Sequence, residues 1–192
     1  MTEKRLRKIR TVLRRRQPDL TVVMENIHDP HNVSAMLRSA DAAGVLEVQL
    51  VYNEEPFPQL GKKSSASANR WVTRQKFTSI EECYRTLRGR GFKICATHLT
   101  KSALSLYDLD LTQKIAFVFG NEHRGVSEEA ARHADINFWV PMMGMIQSLN
   151  VSVACAVALY EALRQRTAGN FYVKRRLALR DYRRLLEEWS LK

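Results

Sequence analysis

The chain of 192 residues has few cysteines, no long hydrophobic run and no leader-like segment. Its three cysteines are odd in number and lie scattered within apolar patterns, which predicts reduced, buried thiols rather than a disulfide framework. No run of about 18 apolar residues occurs, so no membrane span is predicted. The basic N-terminus is not followed by the apolar stretch of a signal peptide. We therefore predict a cytoplasmic protein that does not contact membranes.

Several common ligand-binding motifs are also absent, and this narrows the chemistry. No G-x-G-x-x-G follows the first predicted strand and no G-x-x-x-x-G-K-[ST] occurs, which disfavours a Rossmann dinucleotide site and a P-loop. No G-x-S-x-G nucleophile elbow is present. His28 and His31 lack cysteine or carboxylate partners at zinc spacing, so the sequence predicts no metal site.

Positive charge is abundant, and it lies at the two ends of the chain. The net charge is +11, carried by residues 1–16 and 174–192, whereas the residues between them are balanced. Apolar residues at helical spacing predict that each end forms a short helix with one buried and one cationic face, which suits a polyanion. A solvated basic face without a partner is the alternative, and the short arms disfavour a membrane surface. The candidate nucleic-acid contacts are Arg7, Lys8, Arg14, Arg15, Arg16, Arg175 and Arg176.

Between the ends, strand-like and helix-like patterns alternate, which predicts an α/β fold with a parallel sheet covered by helices. A core domain of residues 17–167 is expected between helical extensions at 1–16 and 168–192. The connection at 53–69 is long and matches no pattern, and such loops are usually functional or mobile. Strands are predicted at 20–26, 46–52, 72–77, 92–97, 115–119 and 136–140. Helices are predicted at 32–43, 79–89, 127–133 and 151–163.

The segment 141–166 is the most informative part of the sequence. A predicted strand ends at Pro141, a loop around Gly144 follows, and the polar residues Gln147, Ser148 and Asn150 precede an apolar helical run. A helix that is apolar all round is typical of a buried core. Free N–H groups and the positive dipole end would therefore meet these polar residues in a candidate ligand site. An ordinary N-cap is the alternative interpretation.

Three segments at predicted strand ends carry a family resemblance: residues 26–41 (NIHDPHNVSAMLRSAD), 117–129 (FVFGNEHRGVSEE) and 140–154 (VPMMGMIQSLNVSVA). They resemble the signature motifs of the SpoU branch of the SPOUT RNA methyltransferases. The stretch 14–25 (RRRQPDLTVVME) and the two basic ends resemble more narrowly the tRNA (guanosine-2′-O)-methyltransferase type, which modifies the guanosine at position 18 of the D-loop. The short N-terminal extension favours tRNA over ribosomal RNA, whose enzymes in this branch carry a separate RNA-binding domain.

The resemblance implies a deep C-terminal trefoil knot, a homodimer and S-adenosyl-L-methionine (AdoMet) as cofactor. Carried over by position, the residues that line the AdoMet pocket would be Thr97, Gly120, Val140 and Leu149, largely through backbone and apolar contacts. Two other functions remain open at this point. One is methylation of another RNA, either ribosomal RNA or an anticodon loop, and the other is RNA binding without catalysis.

The resemblance also implies the catalytic candidates Arg38, Asn32, Glu122, Ser148 and Asn150. Arg38 would either accept the proton of the ribose 2′-OH or grip the adjacent phosphate; its permanent charge and planar fork suit the second role. We expect Asn32 to cap its helix and Glu122 to bind RNA or orient Arg38. Asp29 stands where the family usually has a basic residue, which predicts that its side chain points away from RNA or that substrate choice differs.

Overall fold

The computed structural model describes residues 1–58 and 68–192, which form seven strands and six α-helices. The strands are Leu20–Glu25 (β1), Glu47–Val51 (β2), Thr73–Phe77 (β3), Lys93–Thr97 (β4), Leu104–Ser105 (β5), Ile115–Phe119 (β6) and Ile136–Trp139 (β7). The helices are Glu3–Arg15 (α1), Pro30–Ala42 (α2), Ile80–Gly89 (α3), Glu128–His133 (α4), Val151–Ala168 (α5) and Leu179–Leu191 (α6). Part of the 53–69 connection lies outside the described residues.

All seven strands join one parallel sheet in the order β3-β2-β1-β6-β4-β7-β5. The central strands β1 and β6 are buried along their whole length, as expected when helices cover both faces. The predicted parallel α/β sheet and its six predicted strands are therefore confirmed. Strand β5 was not predicted, because two residues are too short to show a periodicity.

Successive side chains of the central strands β1, β6 and β4 enter two different cores. Val22 and Met24 of β1 join the core beneath α2 and α5, whereas Val23 joins the core beneath α3 and α4. This alternation follows from the two-residue repeat of a strand. The sheet thus holds one pair of helices on each face, and the carboxyl ends of its strands share one edge.

Helix α2 begins two residues earlier than predicted. Asp29 is its N-cap and accepts a hydrogen bond from the His31 N–H at 2.8 Å, with Pro30 in the first turn. The prediction that Asn32 caps this helix is therefore wrong. The cap also explains the acid at position 29, because its carboxylate accepts a free N–H group at the helix start. The helix is followed by Gly44 at φ +83°, a conformation that favours glycine.

The two basic ends form α1 and α6, which pack against each other. Ile9 and Leu13 of α1 meet Leu185 and Trp189 of α6 in a small third core. Arg16, at the end of α1, is completely buried, pairs with Asp41 and donates to the Val45 carbonyl at 2.8 Å. The prediction that Arg16 contacts nucleic acid is therefore wrong, because its guanidinium is buried inside the fold and paired with Asp41.

Helix α5 is longer and less enclosed than predicted. It extends to Ala168, and its N-cap is Asn150. Cys155 and Leu159 are buried, whereas Val153 and Tyr160 are 46% and 53% exposed. The expectation of a helix buried on all sides is wrong for the single chain, since one apolar face is open.

Among the helices of the described residues, none combines the length and the apolar character that crossing a membrane requires.

Arg166, also in α5, links this helix to Asp19, the residue before β1. It is fully buried and binds the Asp19 carboxylate at 2.6 Å and the Leu111 carbonyl at 2.9 Å. Burial raises the pKa of Asp19, but Arg166 and Arg176 lower it more, so the pKa lies below its usual value.

We expect Arg166→Met to reduce the free energy of unfolding by about 3 kcal/mol, because it leaves a half-buried carboxylate without its main partner. The exposed Arg164 in the same helix is the control, and its methionine variant should melt near the parent temperature.

Because the pKa of Asp19 is depressed on folding, the contribution of Asp19 to the free energy of unfolding is present above the ordinary pKa of about 3.9 and disappears as the pH falls below it. In urea melts between neutral and acidic pH, Asp19→Asn should lack the acid-sensitive part of the free energy of unfolding that the parent shows. A pH profile of Asp19→Asn equal to that of the parent would contradict this role of Asp19.

Candidate active site

The candidate site lies at the edge of the sheet where the strands end. Just after β1, Asn26 adopts φ +48°, which asparagine tolerates better than most residues. Its side-chain oxygen accepts the Asn53 N–H at 3.1 Å, and its carbonyl accepts the Asn121 amide at 2.9 Å. The turns after β1, β2 and β6 are therefore fastened together by two asparagines.

Glu122, in the turn after β6, binds the segment before and inside α2. Its carboxylate accepts hydrogen bonds from the His28 N–H at 2.8 Å, the Asp29 N–H at 3.1 Å and the Asn32 amide at 2.8 Å. Burial raises the pKa of Glu122, but these three donors lower it more, so the group is a carboxylate at neutral pH with a pKa below its usual value. Glu122 thus holds two of the three motif segments together.

Asn32 links Glu122 to the third motif segment, residues 140–154, through a hydrogen bond with Asn150. Its side-chain oxygen accepts the Asn150 amide at 3.1 Å, while the Asn150 oxygen accepts the Ser152 N–H at 2.9 Å at the start of α5. Three of the five predicted catalytic residues, Glu122, Asn32 and Asn150, therefore form one continuous hydrogen-bonded chain. They come from positions up to 118 residues apart.

Beside this chain, a cavity of about 340 Å³ opens at the ends of β4 and β7, beneath the 141–150 loop. Its volume lies in the range of small-molecule sites, and a mainly apolar wall with a few polar groups is typical of them. Predicted residues in its lining are Thr97, Val140, Ser148 and Leu149. His98 lines it too, and so do Leu99, Phe138, Trp139 and Met142, which were not predicted although they lie within or just after predicted strands.

Gly120 does not line this cavity. A Cβ atom at Gly120 would lie 2.1 Å from the Gly125 carbonyl oxygen and 2.2 Å from the Val126 nitrogen. Glycine is therefore required here because the returning loop packs directly on the backbone. The hydroxyl of Thr97 also serves the fold, since it donates to the Val118 carbonyl at 3.0 Å.

Arg38 stands apart from the hydrogen-bonded chain. It is exposed on α2, and it forms no hydrogen bond or ion pair among residues 1–58 and 68–192. Six residues separate it from Asn32, which puts the two side chains roughly 120° apart around the helix. The structure thus leaves the Arg38 guanidinium free to bind an external anion.

Most of the predicted nucleic-acid contacts are accessible. Arg7, Lys8, Arg14, Arg15 and Arg175 are exposed at the two terminal segments. Arg176 is exposed too, but it pairs with Asp19 and stacks on the Phe171 ring at 4.1 Å. Within the described ranges, no three His, Cys, Asp or Glu side chains lie close enough together to hold a metal ion.

The amino-acid sequence of this chain is similar to those of known proteins. Residues 19–160 match the model of the SpoU rRNA methylase family. The chain is 47% identical over 191 residues to a tRNA (guanosine(18)-2′-O)-methyltransferase of Thermus thermophilus, covering 100% of this chain and 98% of that protein.

Solved structures show the same likeness. The Aquifex aeolicus TrmH/SpoU tRNA modifying enzyme superposes with a TM-score of 0.92 at 37% identity, over 98% of this chain and 96% of that one. The SpoU methyltransferase AviRb of Streptomyces viridochromogenes, solved in complex with AdoMet, gives 0.71 at 26% identity, over 80% and 63%. The family match spans the whole sheet and the start of α5, and it includes all three segments that meet at the site. This chain belongs to the SpoU rRNA methylase family.

Proposed function

We propose that this protein transfers a methyl group from AdoMet to the ribose 2′-OH of the guanosine at position 18 in the D-loop of tRNA. The observation that carries the proposal is the 47% identity along the full length of a protein with that named activity. The chain of Glu122, Asn32 and Asn150 supports it, because it fixes the three motif segments around one cavity.

The cavity beneath the 141–150 loop fits AdoMet in size and in character. Val140, Leu149 and Phe138 offer apolar contacts for a flat base, and Ser148 and Gln147 offer polar groups. When bound, AdoMet supplies the electrophilic methyl group. The residues of the chain then have to hold the ribose in line with that methyl group and accommodate the proton of its 2′-OH.

Positioning supplies much of the rate in such a transfer. We assign Arg38 to grip the phosphate next to the target ribose, because a guanidinium stays protonated below about pH 12 and binds phosphate through two parallel hydrogen bonds. Glu122, Asn32 and Asn150 are joined in series by side-chain hydrogen bonds, so we assign them to hold the loops in position, and Ser148 to contact the substrate.

Further assignments rest on surface chemistry. The exposed cations of α1 and of residues 174–176 would hold the tRNA backbone. Met143, Met145, Ile146, Val153 and Tyr160 form an exposed apolar surface on α5 and the loop before it, which supports a homodimer through this face. The C-terminal trefoil knot belongs to the same proposal, as does a cytoplasmic location, which the three buried free cysteines support.

Incubation of the purified protein with labelled AdoMet and unmodified tRNA tests the proposal. We expect label in tRNA and in the 2′-O-methylguanosine fraction after digestion to nucleosides. A ribosomal RNA fragment of equal length is the control and should remain unlabelled. Label in that fragment alone would overturn the substrate assignment, and label in neither RNA would overturn the activity.

A further inference from the structure

A second cavity lies far from the candidate active site, between the two terminal helices and the segment that leads into β3. Its volume is about 500 Å³. The main chain of Gln17 donates to the Gly44 carbonyl at 2.8 Å, so the end of α1 lies beside the start of β2. The cavity is therefore at the amino edge of the sheet, one strand length, or about 17 Å, from the edge that carries the active site. We name it the terminal-helix cavity.

The rim of the terminal-helix cavity is cationic. Arg5 and Lys8 from α1 and Arg70 from the turn before β3 line it, and all three are exposed. One acid lines it as well, Asp41, but Asp41 pairs with the buried Arg16. Arg70 donates at 2.8 Å to the main-chain oxygen of Lys192, the last residue, so the terminal carboxylate offsets part of the Arg70 charge, whereas Arg5 and Lys8 form no ion pair within the part of the chain that the structure describes. The rim thus keeps an excess of positive charge that favours an anion.

The wall of the cavity is apolar and aromatic. Ile9 and Val12 come from the same face of α1 as Arg5 and Lys8, because residues three, four and seven apart share one side of a helix. Trp71 and Trp189 complete the wall, with their rings edge to face at a centroid distance of 5.0 Å. Trp71 is half-buried, and its ring carries the exposed side chains of Arg70 and Lys192 at 5.9 and 5.7 Å from the centroid, which a base would displace. A cationic rim over an aromatic wall matches a phosphate joined to a flat base.

We propose that the terminal-helix cavity binds one nucleotide of the tRNA at a point separate from the methylated guanosine. The base lies against Trp71, and the phosphate binds Arg5, Lys8 and Arg70. This inference rests on the proposed function, with tRNA as the substrate. The charge distribution assigns tRNA binding only to the two ends as a whole, whereas we assign it to one cavity. Aromatic rings bind bases of any sequence in this manner, and cations add the affinity for phosphate.

Two double variants on the same helix test the cationic rim. Arg5→Gln with Lys8→Gln removes two cations from the cavity, whereas Lys4→Gln with Arg7→Gln removes the same two residue types one position earlier, on the solvent side of α1. We expect tRNA affinity to fall about tenfold or more in the first pair, with a salt slope lower by about two, and only a few-fold in the control pair. Equal losses in the two pairs would overturn the site and leave only diffuse attraction.

Tryptophan fluorescence tests the aromatic wall. The chain has three tryptophans, so Trp139→Phe leaves Trp71 and Trp189, both in the cavity wall, as the only reporters. We expect saturating tRNA to quench this emission, and inorganic polyphosphate to compete with tRNA without quenching. Quenching by free guanosine monophosphate would show that a single nucleotide suffices, and quenching by tRNA alone would show that the RNA backbone must deliver it; either supports the site. No quenching by tRNA, or equal quenching by polyphosphate, would overturn it.

Methyl incorporation by the parent protein is measured separately. If that assay fails, the proposed activity fails, yet the comparison of the two double variants still reports on the cavity. Thermal melts of all variants establish that they are folded, which we expect because the four substituted side chains are exposed.

Discussion

Arg38→Ala should abolish detectable methyl transfer while leaving AdoMet affinity near the parent value. Arg38 is exposed on α2 and lines no part of the cavity proposed for AdoMet, so its loss should remove the proposed phosphate contact without altering that cavity. Binding of tRNA should weaken only modestly, since the exposed cations of the two terminal segments remain in place. Single-turnover rates at saturating tRNA and AdoMet, with calorimetry for the cofactor, measure both quantities.

Arg38→Lys separates charge from geometry at the same position. Lysine keeps the positive charge but lacks the planar fork that binds phosphate through two hydrogen bonds. A partly active lysine variant would indicate that charge suffices, and an inactive one that the two-point grip is needed. A methylation rate equal to that of the parent in Arg38→Ala would contradict any role of Arg38 in the reaction.

Glu122→Ala should have the second largest effect, and it should reduce both stability and activity. It removes the acceptor of three hydrogen bonds, from the N–H groups of His28 and Asp29 and from the Asn32 amide. Donors left unpaired cost about 1–3 kcal/mol, and the Asn32 side chain that binds Asn150 then loses the hydrogen bond that orients it. We expect the methyl transfer rate to fall about 100-fold, as when a catalytic arrangement loses its positioning.

Glu128→Ala is the matched control, because it removes an exposed carboxylate only six residues along the chain. Its stability should remain within about 0.5 kcal/mol of the parent. A purely structural role of Glu122 would lower the melting temperature without changing the rate per folded molecule. That outcome would contradict the assignment of Glu122 as a positioning residue for the reaction.

The sequence predicted the elements of the sheet well because periodicity is a local property. The three motif segments follow predicted strands, and they lie at one edge because parallel strands finish there. The chain of Glu122, Asn32 and Asn150 could not be predicted from pattern alone, because its members are up to 118 residues apart and their contacts depend on the strand order. The family resemblance, not the periodicity, selected these residues.

The errors in the predictions also have physical causes. Arg14, Arg15 and Arg16 look alike in sequence, yet only Arg16 meets an acid, Asp41 of α2, and a free carbonyl, that of Val45 between α2 and β2. The terminal-helix cavity was not foreseen, since it combines α1 with Trp71 and Trp189, which are distant in sequence. Val153 and Tyr160 were expected in the core because hydropathy does not distinguish the interior of a chain from a surface that another molecule covers.

The most direct test of the proposed function is to locate the methyl group. Unmodified tRNA is incubated with the protein and AdoMet, cut with a guanosine-specific ribonuclease and analysed by mass spectrometry. We expect one added methyl group on the D-loop fragment, with cleavage blocked after guanosine 18 because its 2′-OH is methylated. A methyl group found only in another fragment, or a D-loop guanosine that is still cleaved, would contradict it.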